Sequence, residues 1–137
     1  MARVCAAPAL APALRKHGPS RLDDTTLIHS TPMADGWAQW AAAAGVTLGT
    51  PKRDVWLDSY LAILRAAEQG LGLALGLLPL VQPALTRRRL VMPWPKLRLD
   101  IPQGYYLLYR PQDRERPELV AFRSWLLALL RSERIIG

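Results

Sequence analysis

Apolar and polar positions alternate in blocks along this chain, and the period of each block predicts an element. Trp37, Trp40, Ala41 and Ala44 recur at i, i+3, i+4 and i+7 before Gly45, which predicts a short amphipathic helix with a glycine stop. Arg53 to Leu57, RDVWL, alternates with the period of two expected of a strand. Asp58 or Ser59 then stands where a helix N-cap belongs, and SYLAILRAAEQ follows as a helix closed by Gly70. Thr25 to His29, TTLIH, reads as a buried strand between the turn signals DD and STPMADG.

The most apolar run, Gly70 to Val81, divides at its glycines and proline: a turn, a strand over Gly72 to Leu75, and a helical segment entered near Pro79 and disturbed at Pro83. Arg3 to Ala6 and Leu90 to Met92 are shorter strand candidates, with a helical turn or two before Gly18. Tyr105 to Tyr109, YYLLY, is a strong strand candidate on β propensity. Pro117 opens a final helix with Leu119, Phe122, Leu126, Leu129 and Leu130 along one face, ending near Arg131. Alternating strands and helices imply an α/β sheet with mostly parallel strands.

Composition narrows the function classes. Half of the 137 residues are hydrophobic and 21% are charged, a globular profile. The Gly70 to Val81 run falls short of the roughly 18 apolar residues a membrane helix needs, and glycines and a proline break it. The first residues resemble a secretory leader, but Pro8 and Pro12 interrupt the apolar core such a leader requires, so a cytoplasmic location is expected. The single Cys5 has neither a disulfide partner nor a metal-ligand companion, and neither cofactor nor metal is expected. A net charge of +7 would suit an anionic partner, yet the only basic cluster, Arg87 to Arg89, reads as a solvated turn.

Catalytic templates fail. Gly70 and Gly72 have G-x-G spacing, but the third glycine is misplaced at Gly76, and the set lies between a helix and a strand, the reverse of the dinucleotide-binding order. His17 and His29 lack a positioned partner in sequence and read as structural, and adjacent Asp23 and Asp24 read as a turn or cap. The expectation is a protein that is not an enzyme.

The succession PALRKHGPSRLDDTTLIHS, WAQWAAAAGV, WLDSYLAILRAAEQGLGLALGLLPLVQPAL, RRRLVMPW and YYLLYRPQDRERPELVAFRSWLL resembles the C-terminal part of the effector-binding domain of LysR-type transcriptional regulators. Within that family it is most similar to the branch containing the glycine-cleavage activator. The resemblance implies a type 2 periplasmic-binding-protein-like fold, with one nearly complete subdomain and a remnant of the other. Residues 1–20 would form a crossover and the first-subdomain remnant, 21–110 the second effector-binding subdomain, and 111–137 a helix returning to the first. No winged helix-turn-helix is present in the sequence, so the chain is expected to be an N-terminally truncated member without sequence-specific DNA binding of its own.

What the resemblance implies about binding is a small-molecule effector, an amino acid or organic acid, held without chemistry beyond the carboxyl ends of the strands. Ser30 and Thr31 follow TTLIH, where the family's hydroxyls line the cleft; a turn or cap role is the open alternative. Asp58 and Ser59 sit at the family's DS position, with plain N-capping the alternative. Gly76, Leu77 and Leu78 lie where the family's backbone approaches the ligand. Trp37 is a possible cleft wall, although the spacing of Trp37 and Trp40 favours core packing. Besides effector sensing, two readings stay open: an oligomerisation module, homo-oligomeric or joined to a full-length regulator through the bare face of the last helix, or a truncated product without function.

Overall fold

The computed structural model describes residues 1–101 and 106–132 and divides into two compact units, Met1–Ile101 and Pro102–Gly137. In the first unit, strand β1 (Ala2–Cys5) leads through a 3-10 turn into helix α1 (Ala11–His17). Then follow β2 (Thr26–Ser30), α2 (Gly36–Ala44), β3 (Arg53–Leu57), α3 (Tyr60–Glu68), β4 (Ala74–Leu77) and α4 (Gln82–Thr86). The second unit holds α5 (Pro117–Ser132), none of whose residues is buried.

β2 and β3 pair in parallel, and β1 and β4 pair antiparallel with Ala2 against Leu77. A parallel bridge between Leu27 and Leu73 joins the two pairs, so the order is β3, β2, β4, β1. Bridges from Ala2 to Leu99 and from Ala6 to Val91 cover the far side of β1.

Side chains alternate across this sheet, and each face carries its own core. Val4, Leu27, Leu73 and Leu75 pack with Leu14, Trp37, Trp40 and Trp94. Cys5, Ile28 and Ala74 pack on the opposite side with Ile63, Leu64 and Val81. A strand covered on both faces needs no polar side, which accounts for the unbroken apolar run around β4.

Four sequence expectations are corrected. β4 begins and ends two residues later than Gly72 to Leu75, because the antiparallel partner β1 sets its extent through Leu77. Gly76 and Leu77 therefore lie within the strand, not after it. The helix expected from Pro79 starts at Gln82, after a turn in which Val81 N–H donates to Leu77 O. Leu90 to Met92 contributes a single bridge at Val91 in place of a strand. Tyr106 to Tyr109 forms no strand, and Tyr106 and Leu108 are 79% and 88% exposed; Tyr105 lies outside the described residues. β propensity needs a neighbouring strand to pair with, and none exists among the described residues of that unit.

Cys5 is fully buried, with its Sγ against the position of Gly76, and burial pushes its thiol up from 9.0 to about 12. The folded chain thus keeps a proton that the unfolded chain loses near pH 9.0. The stability this contributes is complete below that pH and falls as pH rises toward the folded value. Urea midpoints measured from pH 8 upward should therefore drop more steeply for the native sequence than for Cys5→Ala. Parallel curves would contradict the assignment.

Candidate functional site

The carboxyl ends of β2 and β4 and the entry to α3 converge on a small cavity of about 20 Å³. Its wall includes Ser30, Met33, Trp37, Tyr60, Leu75 and Leu77. That is enough for about one water molecule.

Local sequence explains how each group arrives there. Ser30 closes β2 and is half-buried; its carbonyl accepts from Met33 N–H at 3.0 Å, which turns the chain toward α2. Gly36, the first residue of α2, lets that helix come in close: a Cβ there would stand 3.1 Å from the Met33 methyl and 3.3 Å from Leu75. Trp37 is buried and donates its indole N–H to Ile28 O at 3.0 Å. It packs in the core, as its spacing favours, and also lines the cavity.

Tyr60 is the first residue of α3, and its hydroxyl accepts from Leu77 N–H at 2.6 Å. This bond fixes the end of β4 against the start of α3. Sequence reasoning passed over Tyr60. Its signal was its position beside Ser59 at a helix entry, where a polar aromatic can reach the ends of neighbouring strands.

The remaining expected residues stand differently. Thr31 is exposed, and its backbone N–H donates to Leu57 O at 2.9 Å, extending the β2–β3 ladder. Ser59 is the N-cap of α3, accepting from Ala62 N–H at 3.4 Å, and Asp58 beside it is exposed. Gly76 is buried, and a Cβ there would stand 2.5 Å from Cys5 Sγ, a close approach within the core. Leu78 donates its N–H to Met1 O at 2.9 Å and packs against the α3 side of the sheet. Of the expected set, Ser30, Leu77 and Trp37 line the cavity; Thr31, Asp58, Ser59, Gly76 and Leu78 do not.

His29 points to the other face of β2. It is hydrogen-bonded to Asp54 at 2.6 Å and stacked on Trp56 with ring centroids 4.3 Å apart, a structural arrangement outside the cavity. In the arginine cluster, Arg89 pairs with Glu68 at 3.5 Å and Arg88 adopts a left-handed φ of 55°, as a turn requires. Among the described residues no group of three or more His, Cys, Asp or Glu side chains could hold a metal ion. Nor is any described helix long and apolar enough to cross a membrane.

Residues 2–131 match the LysR substrate binding domain family. The chain is 35% identical over 123 residues to the transcriptional activator AmpR of Pseudomonas aeruginosa, covering 88% of this chain and 40% of that protein. It is 28% identical to the transcriptional regulator TrpI of the same organism, over 78% of this chain and 35% of that protein. Among solved structures it resembles the effector domain of P. aeruginosa AmpR, with a TM-score of 0.74 at 34% identity, covering 96% of this chain and 62% of that one. The AmpR effector binding domain of Citrobacter freundii gives a TM-score of 0.69 at 26% identity, covering 96% and 64%. The chain spans about two fifths of the length of the AmpR activator it matches.

Proposed function

Because the chain belongs to the LysR substrate-binding domain family, with a type 2 periplasmic-binding-protein-like fold, we propose that it senses a small-molecule effector at the carboxyl ends of β2 and β4. One observation carries this reading: Ser30, Tyr60 and Leu77 line one small cavity, with the Tyr60 hydroxyl accepting from Leu77 N–H at the end of β4. These groups recognise polar atoms through hydrogen bonds. The effector is a small anionic metabolite, an amino acid or organic acid, bound without reaction over the mouth of this cavity, which by itself holds about one water molecule. Thr31, Asp58 and Ser59 belong to the rim of the same site in this proposal, and Gly76 and Leu78 support it from behind at the end of β4.

As part of it, the chain acts in the cytoplasm within transcription regulation and without base reading by its own residues. It is assigned to the branch containing the glycine-cleavage activator on the segment succession in its sequence. AmpR relatives support the family.

The expected result is a rise in melting temperature with at least one compound from a panel of amino acids and organic acids. An effector at a hundredfold excess over its Kd stabilises by about 2.7 kcal/mol. Ser30→Ala should weaken that response roughly tenfold in affinity, the loss expected for one buried polar partner. No shift with any compound at millimolar concentration would sink the reading.

A second reading rests on α5, where Phe122 and Trp125 stand 46% and 58% exposed on a helix without buried residues. Such a face associates with another apolar face. It would pair copies of this chain, or this chain with a full-length regulator, and light scattering at increasing concentration distinguishes that outcome from a monomer.

A further inference from the structure

At the opposite end of the sheet, where β2 begins and the chain enters β4, lies a larger basin of about 330 Å³. That volume is in the range of small-molecule sites, roughly 300 to 1,000 Å³. Its apolar side comes from Leu10 and Leu14 and from Leu71, which is 44% exposed. Its polar side comes from Arg21, Asp23 and Asp24 of one loop, with His17 at the end of α1 and Thr25 and Thr26 leading into β2.

Opposite charges face this common void without neutralising one another. Among the described residues none of Arg21, Asp23 and Asp24 has a side-chain hydrogen bond or ion pair, although the surface elsewhere is well supplied with such pairs. The loop that presents them is held firmly. Leu22, between Arg21 and Asp23, is fully buried in the core, and Thr25 N–H donates to Leu22 O at 2.8 Å. Lys52 N–H donates to Thr25 O at 2.8 Å and Gly49 N–H to Pro19 O at 3.0 Å, so the loop is tied down on both sides. The backbone that carries these charges is thus fixed beside an apolar wall before any ligand arrives, so that binding has only the side chains to order.

We propose that this basin at the amino ends of β2 and β4 is a second ligand site, taking a small zwitterion with an aliphatic portion. Arg21 receives the carboxylate in a charge-assisted pair, Asp23 and Asp24 receive the ammonium, and Leu10, Leu14 and Leu71 cover the aliphatic part. The site is separate from the carboxyl-end cavity, with which it shares no lining residue.

L-leucine, 4-methylpentanoate and 3-methylbutylamine, titrated into the ¹⁵N-labelled full chain at low ionic strength, test this. The last two keep the aliphatic part and lose the ammonium or the carboxylate. Saturable amide shifts are expected at Thr25, Thr26, Leu71 and Gly72, with leucine binding at least roughly tenfold more tightly than either half-molecule. Arg21→Gln and Asp23→Asn with Asp24→Asn should each cost leucine about tenfold, with dispersed spectra because these side chains are exposed. Ala13→Phe, on the exposed face of α1, fills the basin and should abolish the response. Equal affinities for the three compounds, no saturable shift, or a response untouched by these variants would each overturn the proposal. So would shifts confined to Ser30, Tyr60 and Leu77, which would instead support the carboxyl-end site.

Discussion

Gly72→Ala is expected to destabilise the protein by at least about 3 kcal/mol, combining overpacking with the loss of buried backbone hydrogen bonds. A Cβ at Gly72 would lie 2.1 Å from Thr26 O and 2.8 Å from Thr26 C, both backbone atoms of the adjacent strand. That carbonyl accepts from Leu73 N–H at 2.9 Å, and Leu73 O accepts from Ile28 N–H at 2.8 Å. These two bonds are what join the β2–β3 pair to the β4–β1 pair. An alanine must therefore push the two halves of the sheet apart. Gly70→Ala is the control: its φ of 82° is left-handed but a Cβ would meet nothing within 4 Å, so only the backbone cost of about 1–2 kcal/mol applies. Urea unfolding followed by circular dichroism measures both. If Gly72→Ala costs no more than Gly70→Ala, steric separation of the sheet is not the reason for the glycine.

Trp40→Ala is the second large effect, about 3–5 kcal/mol in unfolding free energy. Trp40 is fully buried at the centre of the α1/α2 side core, edge-on to Trp37 with centroids 5.9 Å apart and tilted against Trp94 at 6.2 Å. Its indole N–H has no hydrogen-bond partner among the described residues, whereas Trp94 donates to Leu14 O at 3.1 Å. Changing Trp40 to Phe removes an unpaired donor along with some volume. The same change at Trp94 removes volume and also one of the two hydrogen bonds accepted by the Leu14 carbonyl, the other coming from Gly18 N–H at 2.9 Å, at a further cost of about 0.5–1.5 kcal/mol. Trp94→Phe should consequently destabilise more than Trp40→Phe in the same unfolding experiment, and the reverse order would refute this account.

How far the sequence carried this picture depended on whether a signal was local. β3 matches Arg53–Leu57 residue for residue, and α2 and α3 match their apolar faces and stops, because pattern and cap lie within the element. Strand β4 was displaced because its ends are set by β1, some seventy residues earlier in the chain. YYLLY has the composition of a strand and none of the pairing. At the carboxyl-end cavity, Ser30, Leu77 and Trp37 were legible from strand ends and from the family resemblance. Tyr60 was not, because its relevance comes from a bond to Leu77 across the α3–β4 turn. The opposing basin was not legible either: Asp23 and Asp24 looked like turn formers, which they are, and nothing in the sequence singled out Arg21. Only the fold brings them around one void with Leu71.

Trp37 also has an optical consequence. Its ring walls the carboxyl-end cavity while its N–H stays tied to Ile28 O, so a molecule entering there changes the surroundings of an indole held in one orientation. Two of the five tryptophans, Trp56 and Trp125, already face solvent and provide a constant background. The protein thereby carries a built-in fluorophore at the site proposed to sense its effector, and occupancy can be followed by emission without attaching a dye.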